Sequence, residues 1–344
     1  GGGVGVWEWA RCLVRPGLVW VLYGFFDQGR VEAKRNFFLI GAPKAGTTLI
    51  HGRLSRHAQV YLSPIKEPNY FSTDIDTDRF STAFKANTPD DLDRYFDQKP
   101  LQSRQVAFVR SPDQYAALFE GAGPEHRVVG ECSTSYLNSI QAPEKVSASH
   151  PEAAVLIALR NPVERLFSHW QMARKYGFTD LPLMEAVAAD QVHPNPGWGS
   201  SELFVESGHY AEAVQRWQQH FPADRIKVVL NEHLNEARTW ADLAQWLGLD
   251  GGIPDAPPSS GNPAGRARFA GINQWLTRRG RTSALAQRMP EGLKKAVGRR
   301  WYTSEGLPQM TEEDRQALYP LFADDIDALE ALLGVNLEGW RLGR

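Results

Sequence analysis

Cysteine is nearly absent: the 344 residues hold only Cys12 and Cys132. Two thiols far apart, without metal-like spacing, build neither a disulfide framework nor a thiolate zinc site. They point to a reducing, cytoplasmic setting. Long apolar runs are missing too. The most apolar stretch near the start, Gly17 to Phe26, is about half of the roughly 20 residues a spanning helix needs. Arg15-Pro16 blocks its extension backward, and the lack of a small-residue cleavage site after it argues against a signal peptide. Residues 1–35 are therefore expected to be an N-terminal helical extension docked on the domain. Trp7, Trp9, Arg11 and Arg30 suit a second reading, a peripheral membrane contact. An excess of one charge is also lacking: net charge is −2 and the pI about 6.6, so no global field recruits nucleic acid. Internal repeats are absent.

What is present is a concentrated signal at Asn36 to Ile50. An apolar run, Phe37-Phe38-Leu39-Ile40, reads as a buried strand. Gly41 and Pro43 break it, and Thr47-Thr48 open an apolar-periodic helix through Leu49, Ile50 and Leu54. The first backbone N–H groups of a helix lack partners, so a strand–loop–helix junction of this kind cradles anions. Lys44 adds a charge and the two threonines add hydroxyls. The spacing departs from the P-loop pattern Gly-x-x-x-x-Gly-Lys-Ser/Thr. Gly41, Gly46 and Thr48 fit, but Thr47 holds the lysine position and the lysine stands at Lys44.

Further strands are expected at Val60–Leu62, Val128–Glu131, Ala153–Leu159 and Ile226–Leu230, with helices from Pro162, over Tyr210–Phe221 and over Trp240–Leu247. Such alternation argues for an α/β fold: a P-loop-like, three-layer arrangement with a central parallel sheet flanked by helices. The helical remainder, from Phe269 to Gly334, makes a helical C-terminal third, and residues 36–344 read as a single domain. Ser72–Asp91 and Asp190–Ser207 read as loops, the second long enough to be functional or mobile.

A phosphate-binding kinase or NTPase would need an acid at a later strand end for Mg²⁺. The clearest later strand ends instead in Arg160-Asn161-Pro162, with Ser168 eight residues on. At 100° per residue Ser168 lies in the second turn of the helix, so both donors converge on one phosphate, which a guanidinium binds bidentately. Glu131 is the acid left over for a metal role.

With these residues in view, Pro43-Lys44-Ala45-Gly46-Thr47-Thr48 resembles the 5′-phosphosulfate loop of the 3′-phosphoadenosine 5′-phosphosulfate (PAPS)-dependent sulfotransferases, and Arg160…Ser168 resembles their 3′-phosphate motif. The resemblance is mostly to the bacterial and heparan-sulfate-type branch and runs along nearly the whole chain from residue 36. Lys66-Glu67-Pro68-Asn69-Tyr70-Phe71 is similar to the segment bearing the branch's catalytic glutamate. Gly130-Glu131-Cys132-Ser133-Thr134-Ser135-Tyr136 is similar to its Gly-Glu-Lys-Ser/Thr-Pro-x-Tyr loop, with Cys132 in place of the lysine. A basic residue near the acceptor is thus missing from its usual place, which speaks against an acidic sugar.

The resemblance implies a metal-independent sulfotransferase. Pro43, Lys44, Ala45, Gly46, Thr47, Thr48, Arg160 and Ser168 would bind PAPS; apart from the resemblance, Arg266 and Arg268, just after the Asp250–Gly265 linker, either cover the 3′-phosphate or steer an anionic ligand, or belong to solvated helix faces. Glu67 would take the proton from an acceptor hydroxyl or amine, and Lys44 would neutralise the leaving phosphate oxygen. Arg266 and Arg268 open a basic run to Arg300 with a net charge of +9. The partners expected are PAPS and a small-molecule, glycolipid or carbohydrate acceptor. Two other readings stay open here: a nucleotide kinase or NTPase, and a non-catalytic nucleotide-binding protein.

Overall fold

The computed structural model describes residues 34–88, 91–255, 266–267, 302–303 and 308–342. The apolar N-terminal run, Cys12, Arg268 and the stretch from 269 to 301 lie outside them. From Lys34 on, the chain forms one compact unit.

Its centre is strand β1 (Arg35–Leu39), whose apolar residues Phe37, Phe38 and Leu39 are buried. Strands β2 (Val60–Leu62), β5 (Val128–Glu131), β6 (Ala154–Leu159) and β7 (Ile226–Leu230) join it in the order β2-β5-β1-β6-β7. Every pairing is parallel, with Phe37 opposite Gly130 on one side and Ala154 on the other. All six residues of β6 are buried, the uninterrupted apolar pattern of a strand covered on both faces. After β1 the chain crosses to β2 and β5 on one side and later to β6 on the other. The loop leaving β1 therefore sits at the switch point, where open α/β sheets keep their ligand crevice.

The turn from β6 into helix α6 (Pro162–Tyr176) follows from three consecutive side chains. Arg160 ends the strand region, Asn161 caps the helix and Pro162 fills its first turn, where a missing N–H costs nothing. The Asn161 Oδ1 accepts from the amides of Val163 and Glu164 at 3.0 and 3.4 Å. Helix α9 (Ala237–Leu247) buries Trp240, Leu243, Ala244 and Leu247 at helical spacing and stops at Gly248, which takes the left-handed conformation.

Three segments differ from the sequence expectation. A second, two-stranded parallel sheet pairs β3 (Ile65–Glu67) with β4 (Arg104–Val106); three-residue strands are too short to show a period. Ser72–Asp91 is not simply loop. It holds a 3-10 turn at Thr77–Arg79 and helix α2 (Thr82–Asn87), whose cap Ser81 accepts from the Phe84 amide at 3.1 Å. Its polar density hides a buried Phe80. Asp190 belongs to helix α7 (Leu183–Gln191), and its carboxylate accepts from the amides of Glu202 and Phe204, both at 2.8 Å. That folds the Asp190–Ser207 segment back, and Phe204, Val205 and Ser207 become buried.

At the far end, helices α10 (Glu312–Leu318) and α11 (Ala323–Leu333) give the described C-terminal part its helical character. The Asp325 carboxylate holds the amides of Tyr210 and Ala211 at the start of helix α8 (Ala211–His220). A short strand, Arg266–Ala267, pairs antiparallel with Tyr302–Thr303 and runs beside α6.

Candidate active site

The loop Gly41–Gly46 joins β1 to helix α1 (Thr47–Leu54). It is pinned into the sheet: the Ala42 amide donates to the Ala158 carbonyl at 2.6 Å, and Ala158 N–H returns a bond to Gly41 at 2.7 Å. Gly46 closes the loop with φ 95°, and a Cβ there would lie 2.5 Å from Leu234 Cδ1 and 2.8 Å from Asn231 Nδ2. Only glycine meets both demands. The α1 cap has no side-chain acceptor and its first turn no acid, so the amides of Thr47 and Thr48 stay available for an anion.

One cavity of about 370 Å³ gathers nearly all the residues singled out in the sequence. Pro43, Lys44, Gly46, Thr47 and Thr48 line it from the loop, Arg160 and Ser168 from the β6–α6 corner, and Glu67 from the end of β3. Ala45 is buried and turned from it, and its carbonyl accepts from Asn231 Nδ2 at 3.2 Å. Arg266 is placed only by its backbone, in the strand beside α6. The Arg160 guanidinium lies 3.4 Å from the Lys44 carbonyl and 3.6 Å from Glu164 Oε2, so the two phosphate motifs touch. Burial, reinforced by Lys175, Arg160, Arg165 and Lys66, pulls the Lys44 ammonium down to about 8. A cavity crowded with cations favours an anion.

Glu67 is a held carboxylate. Lys66 Nζ donates to its Oε1 at 2.6 Å and Thr134 Oγ1 to its Oε2 at 2.8 Å. Lys66 is 5% exposed and lines the cavity. It brings a basic group to the cavity from a segment bonded to Cys132. Cys132 is buried, and its amide donates to the Lys66 carbonyl at 3.2 Å. The sequence reading left Lys66 unassigned because only the fold carries the β3 end to the Gly130–Tyr136 loop.

Glu131 is not a metal-ready acid. It is 1% exposed, with Tyr115, Tyr136 and Ser133 hydroxyls all donating to it. Burial pushes it up to about 7 against those bonds. Buried Asn69 does related work. Its side-chain nitrogen donates to the carbonyls of Glu67 and Ala107, and its Oδ1 accepts from Ser135 at 2.6 Å. Together they tie the Glu67 segment to the 130–136 loop.

His169 lines the cavity beside Glu202. Arg165 is wholly buried and donates to the Phe204 carbonyl and to His169 Nδ1. A guanidinium only donates, so Nδ1 is the acceptor and the His169 proton sits on Nε2, 3.4 Å from Glu202 Oε2. Burial holds His169 well below its ordinary value and pushes Glu202 up to about 8, with Asp190 adding to the latter. His51 is half-buried, desolvation pulls it down to about 4, and its buried Nε2 has no partner among the described residues.

The sulfotransferase family model matches residues 36–250, more than half of the chain. The chain belongs to the sulfotransferase family. Among curated relatives it is 26% identical over 218 residues to the human bifunctional heparan sulfate N-deacetylase/N-sulfotransferase 2, covering 62% of this chain. It is 29% identical over 159 residues to the rat carbohydrate sulfotransferase 15, covering 41% of this chain. The chain spans 22% and 28% of those relatives' lengths. A sulfotransferase from Alicyclobacillus acidocaldarius superposes with a TM-score of 0.64 at 25% identity, covering 90% of this chain and 99% of that one. The central parallel sheet flanked by helices is thus the scaffold of a sulfotransferase-family chain.

Proposed function

We propose that this sulfotransferase uses PAPS and passes the sulfuryl group to a hydroxyl or amine of a carbohydrate or small-molecule acceptor. The observation that carries the reading is the convergence of two separate anion sites and a held carboxylate on one cavity. The first anion site is the Lys44–Thr48 loop and the second is Arg160 with Ser168. An ATP user needs no second one. The donor set fits PAPS: main-chain amides at α1, two hydroxyls, and the cations Lys44 and Arg160.

PAPS supplies the activated sulfuryl group. The chain's own residues position and neutralise. Glu67, whose Oε1 accepts from Lys66 and Gln105 while its Oε2 accepts only from Thr134 and keeps a free lone pair, takes the acceptor proton. Lys66 and Thr134 fix the direction of that carboxylate. Lys44, with the α1 amides, holds the 5′-phosphate and balances charge on its oxygen as the bond breaks. This is catalysis by placement and electrostatics. Arg160 and Ser168 hold the 3′-phosphate. The names of the relatives support a carbohydrate acceptor, and Lys66 restores a basic group beside it. The kinase reading loses its metal ligand, since Glu131 is buried under three hydroxyls.

Metal-free thermal shift tests the nucleotide assignment. Adenosine 3′,5′-bisphosphate stabilises the enzyme and ATP far less. Arg160→Ala removes about 1.5–3 kcal/mol of that preference, the range for hydrogen bonds to charged groups. Equal shifts by both nucleotides would refute the assignment.

A further inference from the structure

A second cavity of about 220 Å³ adjoins the first. Trp198 and Leu203 line both cavities, and the turn Thr134–Tyr136 gives Thr134 to the first and Ser135 to the second. Trp198 is therefore neither core nor a free loop tip. It is half-buried and forms part of the partition between two cavities.

That partition is fixed in place. Gly199 has φ 75°, its carbonyl accepts from the Ser81 amide at 2.9 Å, and a Cβ on it would lie 2.6 Å from the Phe80 ring. Leu203 adopts φ 52°, a conformation that a leucine rarely takes and that recurs at ligand clamps.

The second cavity has its own chemistry. Asp74, Asp76, Arg79, Asn138 and Ser139 line it around the indole of Trp198. The Asp74 carboxylate is oriented by Ser139 Oγ at 2.6 Å and the Ile140 amide at 2.9 Å. Asn138 Oδ1 is buried without a hydrogen-bond partner among the described residues. An acceptor left in that state calls for a donor. Two carboxylates against one guanidinium disfavour an anion and accept from hydroxyls, while an indole offers a flat apolar face. At 220 Å³ the cavity is below the roughly 300–1,000 Å³ of a pocket that holds a whole drug-sized ligand. It suits one ring of a longer molecule.

We propose that the second cavity is an acceptor subsite for an uncharged, polyhydroxylated ring, and that the acceptor is a carbohydrate of two or more units lying across Trp198. This rests on the reading that the first cavity is where sulfuryl transfer occurs. It separates the roles of the two cavities: cations and Glu67 at the reacting unit, carboxylates and Asn138 at its neighbour.

Equilibrium binding tests it, with the enzyme saturated by adenosine 3′,5′-bisphosphate and titrated with glucose, cellobiose, N-acetylglucosamine and chitobiose. At least one disaccharide should bind about tenfold more tightly than its monosaccharide. Asp76→Ala, at an exposed position, and Asn138→Ala should each reduce that advantage to threefold or less and leave monosaccharide affinity unchanged. Equal affinity across both pairs, an advantage that survives both variants, or no saccharide binding while the bisphosphate binds would each overturn the subsite. Failure of the bisphosphate itself to bind would instead strike the PAPS reading, so the two failures are told apart in one sample.

Discussion

The two walls of the reaction cavity are built on different plans. The cofactor wall comes from short continuous segments at strand ends, Pro43–Thr48 after β1 and Arg160–Ser168 after β6. Its geometry is set by main-chain bonds into the sheet and by an asparagine cap. The wall proposed to face the acceptor is assembled from Lys66, Glu67, Thr134, Trp198, Glu202 and Leu203, which come from three separate segments. Side-chain bonds hold it together: Asn69 to Ser135, Thr134 to Glu67, and the Arg165–His169–Glu202 chain. A wall made by backbone tolerates drift in most side chains, whereas a wall made by side chains is re-specified by a few substitutions.

The largest effect expected is on the acceptor wall's contribution to chemistry. Glu67→Gln is nearly isosteric and keeps the bonds from Lys66 and Thr134 in large part, but removes the base. Turnover should fall by about 10²–10⁴-fold, the usual worth of a placed base, with bisphosphate affinity unchanged. Steady-state kinetics beside a binding titration reads both. Undiminished turnover would move the base elsewhere.

The same division explains what was legible before folding. The phosphate loop and the Arg160-Asn161-Pro162 corner are local patterns, and local patterns report a strand end, a cap and a helix start directly. The parallel sheet followed from alternating apolar strands and helices, and β1, β2, β5, β6 and β7 lie where the pattern put them. Lys66, Asn69, Arg165 and Glu202 were not legible as a set. Asn69 meets Ser135 66 positions on and Arg165 meets Phe204 39 positions on, and no short window of sequence holds both ends. The surroundings of Cys132 were hidden for a related reason. Its amide bonds the Lys66 carbonyl, and Lys66 brings a cation to the cavity from a separate strand.

The cofactor wall should show its character in pH dependence. Lys44 sits at about 8 in the folded enzyme, below its ordinary 10.5, because burial and four neighbouring cations disfavour its charge. An anionic ligand restores the favour to the protonated form. Affinity for adenosine 3′,5′-bisphosphate should therefore be flat below about pH 8 and fall as the pH rises through it, because binding must then take up a proton. Isothermal titration between pH 6.5 and 9.5 follows this. Lys44→Met should bind more weakly at neutral pH and lose the slope. The same slope in the variant would assign the proton to another group.

The smallest effect expected belongs to the acceptor wall again. Glu202 is pushed up to about 8 from its ordinary 4.5 by burial and by Asp190. Folding thus favours its protonated form, so the stability it adds is fully present below its unfolded value and is lost as the pH rises from about 4.5 through 8. Glu202→Gln keeps the neutral shape and cannot ionise. Its melting temperature should match the wild type near pH 5, pull ahead by a few degrees by pH 8.5, and gain no further above that. The bisphosphate-induced shift should stay the same in both proteins, because Glu202 stands on the wall that the nucleotide does not need. Parallel melting curves at every pH would show Glu202 to be an ordinary solvated carboxylate. A changed bisphosphate shift would show instead that the two walls are coupled through His169 and Arg165.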